Sequence, residues 1–201
     1  SKFAFYYSCY PGLMEMINNV IALWQKSTIE LIKRLDHDKE SISELFNCVE
    51  LESIEDMQFG LSDPHNGRRT VVHISAKFNV CGKAQTVADF LYKPKNMRLE
   101  ETYNNTIRMS NQISSLGPLK AVKILAKEGY GYAEFIEHKP TQNLEELADF
   151  YYNAGRLLSI LYLLGCTDCH FENLIAHGNQ LVLVDTETLL EPLLFEESAT
   201  I

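Results

Sequence analysis

The sequence predicts an α+β fold: a helical N-terminal segment (1–55), a mainly antiparallel sheet (56–137) and the start of a helical lobe (138–201). Three observations predict it. Apolar residues recur every three or four positions from Leu13 to Leu35, the period of one helix face. From Met57 the period falls to two, and Val72, Ile74, Ala76, Phe78 and Val80 alternate with polar residues as in a half-buried strand. After Asn143 the helical period returns in Leu147, Phe150, Tyr151, Ala154, Leu157, Leu158 and Leu161.

Taken in order, the first helix is expected over Leu13 to Leu35, with Met16, Ile17, Val20, Trp24 and Leu31 on its stripe. The charged run Asp36-His37-Asp38-Lys39-Glu40 is expected to break it. Ser41-Ile42-Ser43-Glu44 then has the form of a capping box for a second, shorter helix. Strands are expected near 57–61, 70–80, 86–93, 119–125 and 132–136, joined in one mixed or antiparallel sheet. Ser62-Asp63-Pro64-His65-Asn66-Gly67-Arg68 is turn chemistry between the first two, and the third ends in Lys93-Pro94-Lys95. Arg98 to Ile113 has helical character. Asn143-Leu144-Glu145-Glu146 starts the last helix and Gly165 ends it. Leu174-Ile175-Ala176, a turn at 177–180 and Leu181-Val182-Leu183-Val184 form a hairpin.

Composition bounds the function. A chain of 201 residues, 46% hydrophobic and 22% charged, is long enough to bury the core of one or two domains. A net charge of −9, with no Lys/Arg cluster along the sequence, argues against nucleic acid. It does not exclude a nucleotide, which backbone amides, one or two basic groups and a metal can hold. Five scattered cysteines (Cys9, Cys48, Cys81, Cys166, Cys169) predict a reducing cytoplasm rather than a disulfide framework. Cys166-Thr167-Asp168-Cys169-His170 matches the c-type haem attachment pattern, but no signal peptide accompanies it. No second ligand pair makes it a zinc site either. No apolar run reaches 18 residues, so no membrane-spanning helix is expected.

The chemistry is expected in Asp168-Cys169-His170-Phe171-Glu172-Asn173 and in Leu183-Val184-Asp185-Thr186-Glu187. An Asp, an Asn five residues on, and a second Asp twelve residues later at the end of an apolar strand follow the residue logic of phosphoryl transfer. Asp168 would accept a hydroxyl proton. The hairpin would bring Asn173 and Asp185 to one rim, where Mg²⁺ needs oxygen ligands from both. Upstream, three antiparallel strands with a polar turn in the first hairpin and Lys93 on the third follow the order of a kinase small lobe. There the turn covers the ATP phosphates and the lysine contacts them. Glu100 and Glu101 are both placed to pair with Lys93. Glu134 and Ile136 stand where a kinase hinge offers its backbone to adenine.

Six stretches follow one another between Met57 and Pro192: Ser62 to Arg68, Tyr92 to Lys95, Tyr130 to Ile136, Gly155 to Leu158, Asp168 to Ala176 and Asp185 to Leu189. In that order they resemble the dehydratase domain of class II lanthipeptide synthetases, a family with a remote lipid- and protein-kinase-like core. Ser62 stands where that family usually has Gly, and Lys95 where Arg is common. The resemblance implies phosphorylation of Ser and Thr in a ribosomal precursor peptide, using ATP and Mg²⁺. Phosphate is then eliminated to leave dehydroamino acids. It implies Asp168 as the residue that orients or deprotonates the hydroxyl, Asn173 and Asp185 as Mg²⁺ ligands, and Lys93 as a phosphate contact. Asp63 and His65 would touch phosphate or the reacting Cα–H, His170 would orient Asp168 or the phosphate, and Glu187 would support the metal site. The implied setting is the bacterial cytoplasm, with association with an exporter and a cyclase domain further along the polypeptide.

Two other readings stand beside this one. A stand-alone kinase of related fold would phosphorylate without eliminating, but would carry glycines where Asp63 and His65 stand. A non-catalytic peptide-binding module has no use for Lys93, Asp168, Asn173 and Asp185 together. Ser1 in place of Met, and an end sixteen residues after Asp185, predict a piece of a longer polypeptide that is incomplete alone.

Overall fold

The computed structural model describes residues 2–64, 67–80, 85–113 and 116–190. The fold is α+β, and the chain divides into two compact units, Ser1–Lys95 with Glu128–Ala133 and Asn96–Lys127 with Glu134–Ile201.

The first unit opens with a short helix that the sequence did not announce, α1 (Lys2–Cys9), followed by α2 (Pro11–Leu45). The expected break at residues 36–40 is absent, and α2 is one helix of 35 residues. The run Asp36–Glu40 holds neither Gly nor Pro, and residues of ordinary propensity do not stop a helix by being charged. One of them is an anchor. Asp38, 1% exposed, accepts hydrogen bonds from the hydroxyls of Tyr130 at 2.7 Å and Tyr132 at 3.1 Å. Ser43 caps no second helix; its hydroxyl donates to Lys39 O at 2.7 Å inside α2 and accepts from Leu51 N at 2.7 Å.

Strands β1 (Glu50–Phe59), β2 (Val72–Asn79) and β3 (Thr86–Lys93) form an antiparallel meander, and β5 (Tyr130–Glu134) lies beside β3. β1 starts seven residues before the expected 57. Register shifts at Leu51/Ser53 and Ile54/Asp56 explain why the sequence hides its first half. Each bulge switches the side-chain parity, so no continuous alternation survives. β2 has the expected pattern, with Val72, Ile74, Ala76 and Phe78 all buried. Val72 sits opposite Tyr92 and Ile74 opposite Phe90, so these side chains share one sheet face. α2 covers that face with Leu31, Leu35 and Ile42, and Phe46 just beyond it meets Phe78 and Phe90 at ring distances of 5.5 and 5.7 Å. Burying a ring such as Phe78 or Phe90 contributes about 1.5–3 kcal/mol. Lys93, next along β3 from Tyr92, points to the opposite face and is 8% exposed.

The second unit holds α3 (Arg98–Ile113), β4 (Ile124–Lys127), α4 (Leu144–Leu163) and the hairpin β6 (Leu174–His177) and β7 (Gln180–Leu183). The strand expected over 119–125 forms only at 124–127. Side chains of α3 bind the backbone of 119–122 before a ladder can. Asn111 takes both Leu119 N and O at 2.8 Å, Asn104 Oδ1 accepts from Val122 N at 2.7 Å, and Arg108 donates to Val122 O at 2.7 Å. α4 begins as expected: Asn143 Oδ1 accepts from Glu146 N at 2.8 Å, an N-cap. Tyr103 and Ile107 of α3, Leu119, Leu157 and Leu161 of α4, Leu183 of β7 and Leu189 form the core of this unit. Among the described residues no helix is long and apolar enough to cross a membrane.

Candidate functional site

The site is built on the hairpin that follows α4. β6 and β7 pair from Leu174 opposite Leu183 to His177 opposite Gln180, and Gly178 takes the left-handed φ of 60° that their turn requires. The ladder runs one step further, because Val184 N donates to Asn173 O at 3.0 Å. Asp185 is therefore the first residue past a pair whose partner is Asn173, and opposing Cα atoms in such a ladder lie about 5 Å apart. The hairpin expected from the sequence is present, with Asn173 and Asp185 at one end of it.

The loop that leads into the hairpin is fixed from below. α4 closes with Gly165 at φ 62°, and Cys166 N returns to Leu161 O at 3.0 Å. Cys166 and Cys169 pack, partly buried, against the core, with the Cys169 thiol donating to Cys166 Sγ at 2.9 Å. Burial, then the neighbouring Cys166 and Asp168, push the Cys169 thiol up to about 12. At neutral pH it is a packed thiol and not a nucleophile. Asp168 between them faces solvent, its N–H held by Thr188 Oγ1 at 3.1 Å.

Around Asp168 the polar groups are ordered. Asn173 Nδ2 donates to both Asp168 O and Asp168 Oδ2, each at 3.1 Å. That use of the amide nitrogen fixes which end of the side chain is which, and directs Oδ1 elsewhere as an acceptor. His170 Nδ1 lies 3.1 Å from Asp168 Oδ1 and Nε2 lies 3.2 Å from Glu172 Oε2. A neutral imidazole donates to one of these carboxylates; an imidazolium donates to both. A carboxylate has about four acceptor sites, so Asp168 can still take a hydroxyl proton.

The rim donors are oxygens, which suits a hard cation such as Mg²⁺. Asp185 Oδ1 accepts from Glu187 N at 3.2 Å in a local turn, and Thr186 between them is 1% exposed. Among the described residues no three His, Cys, Asp or Glu side chains gather as a metal cage. An ion held by one amide oxygen and one carboxylate would take its remaining ligands from phosphate and water, as Mg²⁺ commonly does. The donor set therefore fits that ion.

The remaining expected residues are dispersed over the two units. Lys93 closes β3 and Asp63 is exposed on the turn after β1, both in the first unit; His65 lies outside the described residues. Glu100, on the first turn of α3, is 4% exposed, whereas Glu101 is half-buried and accepts from Ala126 N at 3.3 Å. Glu134 is engaged: its carboxylate takes Lys120 Nζ at 2.6 Å and Lys123 N at 3.2 Å, and its N–H goes to Lys123 O at 2.9 Å. Ile136 is buried. Sequence reasoning gave no role to Thr188 or Asn153. Thr188 holds Asp168, and Asn153 ties α4 to the hairpin turn at Asn179 O, 2.9 Å away. A threonine three residues after the strand-end Asp185 was the available signal for the first.

Residues 10–201 match a family described as a domain of unknown function, DUF4135. The chain is also similar to the Lacticin 481/lactococcin biosynthesis protein LcnDR2 of Lactococcus lactis subsp. lactis, at 26% identity over 194 residues. That match covers 92% of this chain and 20% of the relative, so the chain spans about a fifth of the relative's length.

Proposed function

The chain belongs to the DUF4135 family, and on that footing we propose that it is part of a lanthipeptide synthetase acting on a ribosomal precursor peptide. The finer reading is a kinase-like dehydratase core that phosphorylates Ser and Thr and then eliminates the phosphate. The observation that carries it is the ordered rim: Asp168 hydrogen-bonded to Asn173, and Asp185 next past the Asn173–Val184 pair. Similarity to a protein named for lacticin 481 biosynthesis supports the peptide substrate.

In this reading Mg·ATP supplies the transferable phosphoryl group and offsets its charge. Asp168 orients the substrate hydroxyl and takes its proton as the oxygen attacks, while Asn173 and Asp185 hold the ion. His170 positions Asp168, and Lys93 meets phosphate charge. In the second step a base removes the Cα proton and the C–O bond to phosphate breaks, leaving a carbon–carbon double bond. Asp63 and His65 are the groups proposed for that step. Cytoplasmic location, a cyclase domain and contact with an exporter belong to the same proposal for the longer protein.

The test uses the full-length protein with its precursor peptide, ATP and Mg²⁺, read by mass spectrometry. Asp185→Asn is expected to abolish both the phosphorylated and the dehydrated peptide. Dehydration retained by that variant would refute the assignment. Phosphopeptide without any dehydrated product from the parent protein would favour a kinase that does not eliminate.

A further inference from the structure

Beyond carrying Asp168, the stretch Cys166-Thr167-Asp168-Cys169 has no part in the reaction proposed above, yet its two thiols meet. Their sulfurs lie 2.9 Å apart, within about 1 Å of the separation in a disulfide. Both side chains are partly buried against the core of the second unit, so packing holds them together. The backbone on this loop is anchored as well. Cys166 N donates to Leu161 O at 3.0 Å, and Asp168 N donates to Thr188 Oγ1 at 3.1 Å. Thr188 Oγ1 also lies 3.7 Å from Cys166 Sγ. Other described cysteines are placed differently: Cys9 is exposed, and the Cys48 thiol donates to Phe46 O at 3.5 Å.

A metal does not account for the pair. Among the described residues no third His, Cys, Asp or Glu joins the two thiols in a cage, and a structural zinc needs four ligands. Nor does catalysis of thiol exchange. Dithiols that catalyse it carry an acidic thiol, whereas burial pushes the Cys169 thiol up to about 12. The pair has the features of a dithiol that is acted on.

We infer that Cys166 and Cys169 form a reversible oxidation site, closed to a disulfide by a small-molecule disulfide such as glutathione disulfide. Cys169 keeps its proton and donates it to Cys166 Sγ, so Cys166 opens the exchange. Cys166 loses its proton, attacks one sulfur of the oxidant and releases the first thiol, which leaves a mixed disulfide. Cys169, already in contact, then attacks Cys166 Sγ; the protein disulfide forms and the second thiol leaves. Both protons end on the released thiols, so two cysteines are oxidised as one small disulfide is reduced. Excess dithiol reverses both steps.

Closing the sulfurs draws in the two residues between them. Asn173 holds Asp168 through two contacts of 3.1 Å, near the long end for a hydrogen bond, and a shift approaching 1 Å breaks them. The bond itself does not depend on the reaction proposed above; only its consequence for phosphoryl transfer rests on that reading.

The experiment treats the full-length protein with glutathione disulfide, alkylates it, digests it without reductant and reads the masses. The peptide holding both cysteines is expected to lose about 2 Da, its two thiol hydrogens, and to escape alkylation until dithiothreitol is added. In Cys169→Ser the mixed disulfide has no second sulfur to resolve it, so one glutathione should stay on Cys166. Amide exchange at residues 167–173 should change on oxidation. With precursor peptide and Mg·ATP, the phosphorylation rate should fall about ten-fold or more and recover with dithiothreitol. The C166A/C169A double variant should hold its rate through the same treatment. Full alkylation after the oxidant, glutathione on each sulfur of the parent, or a link to a different cysteine would overturn the site. Glutathione kept on Cys169 of Cys166→Ser, and not on Cys166 of Cys169→Ser, would refute the order of attack. A linked protein with unchanged exchange, or with an unchanged rate, would refute the effect on Asp168. A protein inactive in both states counts against the phosphotransfer proposal alone, because mass and exchange still decide this one.

Discussion

Replacing Asp38 tests how the first unit is held together. Its carboxylate receives the hydroxyls of Tyr130 and Tyr132 from β5 while sitting on α2, and so joins two segments that are 92 and 94 residues apart in sequence. A hydrogen bond to a charged group is worth about 1.5–3 kcal/mol, and a buried donor left alone costs a similar amount. Tyr132 is fully buried and no water replaces the lost acceptor, whereas half-exposed Tyr130 recovers most of its bond from solvent. Alanine returns a few tenths of a kcal/mol through helix propensity. The expected cost of Asp38→Ala is therefore about 2–3.5 kcal/mol, and Asp38→Asn, which keeps an acceptor, should cost about half as much. Urea unfolding followed by far-ultraviolet circular dichroism measures both. A cycle with Tyr132→Phe should give a coupling of about 1–2 kcal/mol. A loss below about 0.5 kcal/mol, or strict additivity with Tyr132→Phe, would show that the hydroxyls do not depend on Asp38.

Other outcomes are expected. Asn143→Ala removes the cap on α4 and should cost about 1 kcal/mol, which Asn143→Ser should largely restore, both by thermal melting. Burial raises the Tyr132 and Tyr103 hydroxyls above the usual tyrosine range, and burial together with Asp38 raises Tyr130 to about 12. Unfolded tyrosine ionises near pH 10, so above that pH the unfolded chain sheds protons that the folded one keeps. Stability that is whole below pH 10 should then fall by up to ~1.4 kcal/mol per pH unit for each fully buried hydroxyl; a urea midpoint unchanged from pH 9 to pH 11 would contradict this. In the full-length protein, His65→Ala or Asp63→Ala should let phosphopeptide build up where the parent yields dehydrated peptide; if only phosphorylation is lost, the turn serves nucleotide binding instead. Thr188→Val removes the acceptor for Asp168 N and should lower the phosphorylation rate more than the affinity for ATP, which Thr188→Ser should reverse.

Elements whose stabilising contacts repeat along the sequence were legible in it. β2 and β3 fall within two residues of expectation, and α3 and α4 start where predicted, because alternation and caps are local signals. The charge run in α2 was misread because charge is not a helix breaker, and the burial of Asp38 depends on tyrosines that only the fold brings near. β4 was misplaced because asparagines of α3, the preceding helix, satisfy the backbone of 119–122, and alternation alone does not show such side-chain competition. Beside the candidate site, the hairpin of β6 and β7 was legible, because two short apolar runs flank a tight turn. The meeting of Arg34 and Arg69 at Glu30 was invisible, because the two arginines are 35 positions apart in sequence.

The unbroken course of α2 has a further consequence. No residue of the helix is fully buried before Leu31, whereas Leu31, Leu35, Asp38, Ile42 and Ser43 are. A helix of this length therefore has one half clamped by the sheet and one half held mainly by its own backbone bonds, which are marginal in water. The amides of the first half should open to solvent exchange far more often than those of the second, without the unit unfolding.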